Sequence, residues 1–174
     1  RDYKGGGTLD LMTAVYSDKY SRKELKIMSD DKEIIFREIY KNNVEPIKGF
    51  MKMFELIKSK KILIGLASNA IRKNVEMILN ELKIYKDFDS IICGDEVKRG
   101  KPNPEMFNKT VSRFKLKKKE CLIFEDSLEG VSAAVNSEVD VIGITSSTSE
   151  EVLINRGCKL TMDNYLDFDI SVYV

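Results

Sequence analysis

The chain contains no histidine. That absence excludes Ser-His-Asp and Cys-His catalysis and every metal site built on imidazole. Any chemistry must come from Asp, Glu, Lys, Ser and backbone groups. Cysteine is scarce: Cys93, Cys121 and Cys158 are odd in number and form no C-x-x-C pair. All three fall in apolar, strand-like runs, so they read as buried free thiols in a reducing compartment, which points to the cytoplasm. No apolar run approaches the roughly 18 residues of a membrane span, and no signal-peptide pattern opens the chain. Nor is charge of one sign in excess. The 29 basic and 28 acidic side chains exert no global pull on nucleic acid or membrane. The basic run "RFKLKKKE" (113–120) reads as the last turn of a helix, favoured there by the macrodipole, because the net charge is balanced and the run holds one aromatic, Phe114, rather than the interleaved aromatics of an RNA surface.

What is present is a chain of 174 residues with 43% apolar content, enough for one domain with a small appendage and a real core. Residues 8–44 read as helices, with Leu9, Met12 and Tyr16, then Ile35, Ile39 and Tyr40, at helical spacing. "VEPIKG" (44–49) breaks that pattern, since Pro46 pushes its predecessor out of the helical region. Beyond it, helix and strand alternate. Phe50, Met53, Phe54 and Ile57 share one helix face, and Ile71, Val75, Ile78, Leu79 and Leu82 share another. Buried strands are expected at "KILIGLA" (61–67), "SIICG" (90–94), "ECLIFE" (120–125) and "VDVIGIT" (139–145). A short helix near 149–156 and a last strand near 158–162 follow. Asn103 and Pro104 suit the N-cap and first position of a helix, and Ser127 suits the N-cap of another. This alternation implies an α/β fold, a parallel Rossmann-like sheet covered by helices on both faces. Ligands of such sheets bind beyond the carboxyl ends of the strands.

The residues with chemistry fall on that rim. "LASNA" places Ser68 and Asn69 after one strand, "KRGKPNPEMF" places Lys101 after the next, and "LIFEDSLEG" places Glu125 and Asp126 after a third. Singly, each has an ordinary reading: turn, solvated lysine, helix cap. Together, a hydroxyl beside exposed amides, an ammonium and a carboxylate pair suit a phosphate held with a hard divalent cation such as magnesium.

In these three segments, and in their order, the chain resembles the haloacid dehalogenase-like hydrolases, in the branch with a small helical cap that includes β-phosphoglucomutases and sugar-phosphate phosphatases. The resemblance covers about residues 46–165. It implies that Ser68, with Asn69 beside it, binds the phosphate. It gives Lys101 the neutralisation of phosphate and nucleophile, and Glu125 and Asp126 the binding of magnesium. Gly130 matches the small position of the following helix. K-P-x-P with E-D-S-x-x-G looks more like phosphatases and mutases than dehalogenases. The implied activity is a magnesium-dependent phosphatase for a small phosphomonoester, a sugar phosphate by preference. Mutase transfer and a non-catalytic phosphate-binding fragment are the alternatives. A monomer without nucleic-acid or membrane partners is expected. Residues 1–45 would be part of the cap and 46–174 the core, with Lys4 to Gly7 near substrate or simply a terminus.

One motif of the family is missing. Its D-x-D-G-[TV], which carries the nucleophilic and general-acid aspartates on a central strand ahead of the cap, has no counterpart. Asp167-Phe168-Asp169 lacks the glycine, and Ser29-Asp30-Asp31 reads as polar sequence between helices. The expectation is that the chain lacks about 40 or more residues of a typical member, on the scale of one strand plus cap helices, and that it is inactive alone.

Overall fold

The computed structural model describes residues 7–166 and 168–172. Lys4, Gly5, Gly6 and Asp167 therefore lie outside the described residues. Two helices open the chain, α1 (Thr8–Tyr16) and α2 (Arg22–Tyr40). The second starts at a capping box: the Ser21 hydroxyl accepts the Glu24 N–H, and the Glu24 carboxylate accepts the Ser21 N–H at 2.8 Å. Ser29-Asp30-Asp31 lies inside α2, not between helices, a correction to its reading as linker. Asp30 there pairs with Lys26 one turn earlier. The helical spacing of Ile35, Ile39 and Tyr40 does not mark a buried face. All three are exposed, and α2 buries Leu25, Ser29 and Glu33 instead.

That buried stripe docks on a later helix, α4 (Arg72–Glu81), through polar groups. Asn74 of α4 donates to Glu33 and accepts from Arg37 at 2.7 Å. Burial alone would push the Glu33 carboxyl up. Hydrogen bonds from Thr8, Lys32 and Asn74 outweigh it and hold the group below its ordinary range.

The α/β part runs α3 (Phe50–Ser59), β1 (Gly65–Ser68), α4, β2 (Ser90–Cys93), α5 (Glu105–Phe114), β3 (Leu122–Glu125), α6 (Leu128–Asn136), β4 (Asp140–Ile144), α7 (Glu150–Arg156) and β5 (Leu160–Met162). All pairings are parallel. The helix after β2 begins one residue later than expected. Pro104 is its N-cap, and Asn103 holds the entry by accepting the Glu105 N–H at 3.1 Å. Cys93 and Cys158 are buried, but Cys121, just ahead of β3, is only half-buried. Burial pushes the Cys93 thiol up to about 11, with a smaller rise from the carboxylates nearby.

The strands do not form one continuous sheet. β1 pairs with β2, and β3 pairs with β4, which pairs with β5. No ladder joins β1 to β3 among the described residues. In a parallel ladder, alternate residues direct both N–H and C=O to the same neighbour. With the observed registers, Gly65 and Ala67 turn these groups away from β2, and Leu122 and Phe124 turn theirs away from β4. Among the described residues, no other element hydrogen-bonds to them. Accordingly β1 and β3 are only half-buried along most of their length, whereas β2 and β4 are largely buried.

Side-chain packing holds the two sheets together. On one face an aromatic row runs Phe88, Phe54, Phe50, Tyr165, Phe124, with successive centroids 5.3 to 5.7 Å apart. On the other, Phe107 of α5 joins Val131, Ala133 and Ala134 of α6, and both Ala67 of β1 and Ile123 of β3 pack against that cluster.

Candidate active site at the strand ends

"LIFEDSLEG" changes direction at the end of β3, and each of its polar residues goes a different way. Glu125 turns inward and is 8% exposed. Asp126 turns outward. One of its carboxylate oxygens accepts the Ser146 hydroxyl at 3.1 Å, and its carbonyl accepts the Ser147 hydroxyl at 3.2 Å. Ser127 caps α6 by accepting the Gly130 N–H at 3.0 Å. A Cβ on Gly130 would overlap the Glu125 carboxylate, so glycine leaves that carboxylate the place it occupies. The helix start and the buried carboxylate thus share one turn of chain.

Glu125 does not stand alone in the interior. Lys101, 7% exposed, donates its ammonium to Glu125 Oε1 and lies 5.0 Å from the centre of the Phe107 ring. A buried ion pair of this kind is intolerant of losing one partner, at a cost of about 3–5 kcal/mol, because a bare charge remains. The Lys101–Pro102 peptide is cis.

Ser68 ends β1 and accepts the Ala70 N–H at 3.1 Å, which closes a tight turn over the strand end. Asn69 does not present its side chain to the rim. Its Oδ1 accepts the Lys101 N–H at 2.9 Å, and its Nδ2 donates to the Lys101 carbonyl at 3.3 Å. The structure therefore brings all five sequence-derived residues to the carboxyl ends of β1 and β3 and the loop after β2. A polar chain, Asn69–Lys101–Glu125, crosses between the two sheets.

Sequence reading missed Ser146, Ser147 and Tyr165. The serines sit in "TSSTSE", which resembles any polar turn. Tyr165 is wedged between Phe50 and Phe124. Burial first, then Asp126 and Glu125, push its hydroxyl up to about 12. Nothing local in "DNYLD" signals that position.

Among the described residues, no three acidic or thiol side chains converge as a metal site. The two carboxylates are nonetheless hard oxygen donors of the type magnesium takes, and Asp126 is exposed.

The family model described as haloacid dehalogenase-like hydrolase matches residues 8–168. The chain belongs to the haloacid dehalogenase-like hydrolases. It is 31% identical over 134 residues to a phosphorylated carbohydrates phosphatase of Thermotoga maritima, covering 76% of this chain and 60% of that protein. It is 32% identical to a bifunctional riboflavin kinase/FMN phosphatase of Arabidopsis thaliana, covering 82% of this chain and 40% of that one. The chain thus spans between two fifths and three fifths of the length of these two curated relatives. A solved hydrolase of the family from Entamoeba histolytica superposes with a TM-score of 0.86 at 23% identity, over 98% of this chain and 78% of that one. As a haloacid dehalogenase-like chain, it keeps the parallel α/β architecture expected, with the sheet in two parts. No helix among the described residues is long and apolar enough to cross a membrane.

Proposed function

We propose that this chain carries most of the active site of a magnesium-dependent phosphatase for a small phosphomonoester, with a sugar phosphate as the preferred class. The observation that carries the reading is the placement of Ser68, Lys101, Glu125 and Asp126 at or just beyond the carboxyl ends of β1, β2 and β3, with Lys101 paired to Glu125 beside a gap in the ladders between β1 and β3. The nucleophilic aspartate belongs on a strand upstream of this chain that fills the gap. Residues 1–45 act as part of a cap, and 46–174 as the core.

The aspartate carboxylate attacks phosphorus in line, and the ester P–O bond breaks. The alcohol leaves with a proton from the upstream general acid, and an aspartyl-phosphate remains. Water then displaces the aspartate and releases inorganic phosphate. Lys101 moves its ammonium from Glu125 towards the equatorial oxygens, where charge is spread in the transition state. The Ser68 hydroxyl and the backbone amides beside it hold one of these oxygens. Asp126 and Glu125 would hold the magnesium ion, which supplies charge neutralisation when bound.

The test is hydrolysis of para-nitrophenyl phosphate with and without magnesium chloride, by this chain and by a longer protein that includes the preceding residues. The longer protein should turn over, and Lys101→Ala and Asp126→Ala should each lower kcat by about a thousandfold or more. Turnover that survives Lys101→Ala would sink the reading. Binding of phosphate without turnover by the longer protein would replace it with a non-catalytic binding role.

A further inference from the structure

Asn69 stands in the pattern as a phosphate ligand, yet its side chain faces another way. Both hydrogen-bonding groups of its amide are engaged by one residue, Lys101, through that residue's own N–H (2.9 Å) and C=O (3.3 Å). Among the described residues, these two peptide groups have no other partner.

The surroundings are shaped to the same end. A Cβ on Gly100 would stand 2.7 Å from Asn69 Oδ1, so a side chain there would push the amide from its place on the Lys101 peptide. A Cβ on Gly94 would collide with the Asn69 carbonyl, so the second loop also lies close against the Asn69 main chain. The Gly94 N–H donates to the Ala70 carbonyl at 2.9 Å, which ties the two loops together one residue further on. Two loops from different strands are thus closed on each other, at Lys101 by the Asn69 amide and further along by the Gly94–Ala70 bond and the Arg72 N–H on the Asp95 carboxylate at 3.0 Å. The side chain that this closure aims is the ammonium on Glu125 Oε1.

We infer that Asn69 is a positioning residue: it clasps the Lys101 peptide and so fixes where the Lys101 ammonium can reach, and it is not a ligand of the phosphate. The inference rests on the reading of Lys101 as the lysine that meets the phosphoryl group. The clasp itself can be tested without that reading. With its oxygen on the Lys101 N–H and one Nδ2 proton on the Lys101 carbonyl, the amide is oriented on the Lys101 peptide and cannot turn to an incoming anion without breaking both bonds. An isolated lysine on a loop would pay conformational entropy each time it met its ligand, whereas a peptide held at both its N–H and its C=O leaves only the side chain to order.

The experiment is amide hydrogen exchange on the 174-residue chain, without ligand, with the Lys101 N–H as the readout. Asn69→Ala should speed its exchange about tenfold, the equivalent of one lost buried hydrogen bond. Asn69→Asp keeps an acceptor for that N–H and should stay within about twofold of the parent protein. Gly100→Ala keeps Asn69 but crowds its amide, so it should also speed exchange, and it decides the matter if Asn69→Ala does not fold. Unchanged Lys101 exchange in Asn69→Ala or in Gly100→Ala, or equally fast exchange in Asn69→Asp and Asn69→Ala, overturns the clasp. In the longer protein, Asn69→Ala should lower kcat about tenfold with KM within about twofold, and Asn69→Asp should recover much of the loss. A raised KM and a weakened inhibition by inorganic phosphate at constant kcat would instead mark a direct ligand and overturn the inference. Exchange that follows expectation in a longer protein with no phosphatase activity would leave the clasp standing and remove the proposed function.

Discussion

β1 and β2 belong to the same two-stranded sheet, but their free edges are finished in opposite ways. On the outer edge of β2, Arg72 and Arg113 both donate to the Ile91 carbonyl, at 3.0 and 3.2 Å. Glu96 accepts the Cys93 N–H at 3.0 Å and pairs with Arg72. Side chains have closed that edge, as proteins do where a strand must not recruit another. The free edges of β1 and β3 receive nothing of the kind among the described residues. Gly65, Ala67, Leu122 and Phe124 keep their outward N–H and C=O groups unbonded among the described residues. The proposed upstream strand would enter the gap between these two bare edges and pair with both. The candidate site lies at the mouth of that gap, and its polar chain Asn69–Lys101–Glu125 spans it.

The largest test of this contrast is exchange at the bare edges. In this chain the amides of Gly65, Ala67, Leu122 and Phe124 should exchange at least about a thousandfold faster than those of Ile142 and Ile144 in β4. In the longer protein the difference should collapse as the four amides become protected. Protection of the four amides already in the 174-residue chain would break the comparison.

A second test concerns the carboxylate at the end of β3. Gly130→Ala puts a methyl group where Glu125 lies. It should cost about 3 kcal/mol of unfolding free energy in urea by displacing Glu125 from Lys101. A loss below about 1 kcal/mol would mean that the pair tolerates another geometry.

The closed edge can be opened. Arg72→Ala and Arg113→Ala should each cost about 1 kcal/mol. Together they should bare the Ile91 carbonyl and produce self-association in sedimentation velocity. A double variant that remains unassociated would show that the twist or burial of β2, rather than its arginines, guards the edge.

The smallest effect is at the polar contact between α2 and α4. The Glu33 carboxyl is depressed in the fold from its ordinary 4.5. A depressed acid contributes stability that is complete above the unfolded value and is lost as pH falls through the lower folded value. Docking of α2 should therefore be constant from neutral pH down to about 4.5 and weaken below it. Limited proteolysis in the 41–49 segment at decreasing pH reads this directly, and Glu33→Gln should flatten the dependence. Cleavage that rises already between pH 7 and 5 would assign the contact to another group.

The sequence by itself determined the parallel α/β alternation, the strand ends and the five rim residues. These depend on short-range rules: an apolar run of strand length, a cap residue after it, a proline or glycine between. "LIFEDS" carries both signals in six residues, an apolar run of strand length and a serine suited to cap the helix that follows. Only the tertiary structure decided what those residues do to one another. That Asn69 turns to Lys101, that Glu125 takes the ammonium while Asp126 faces Ser146, and that Tyr165 packs against Phe124 are contacts between residues 20 to 41 positions apart. Spacing within one segment carries no information about them. The sequence also reads "ILIGLA" and "CLIFE" as buried strands, because apolar runs look alike whether or not a neighbour is paired to them. The split between β1 and β3 is a matter of backbone groups, which every residue carries alike, so it became visible only once the ladders were in place.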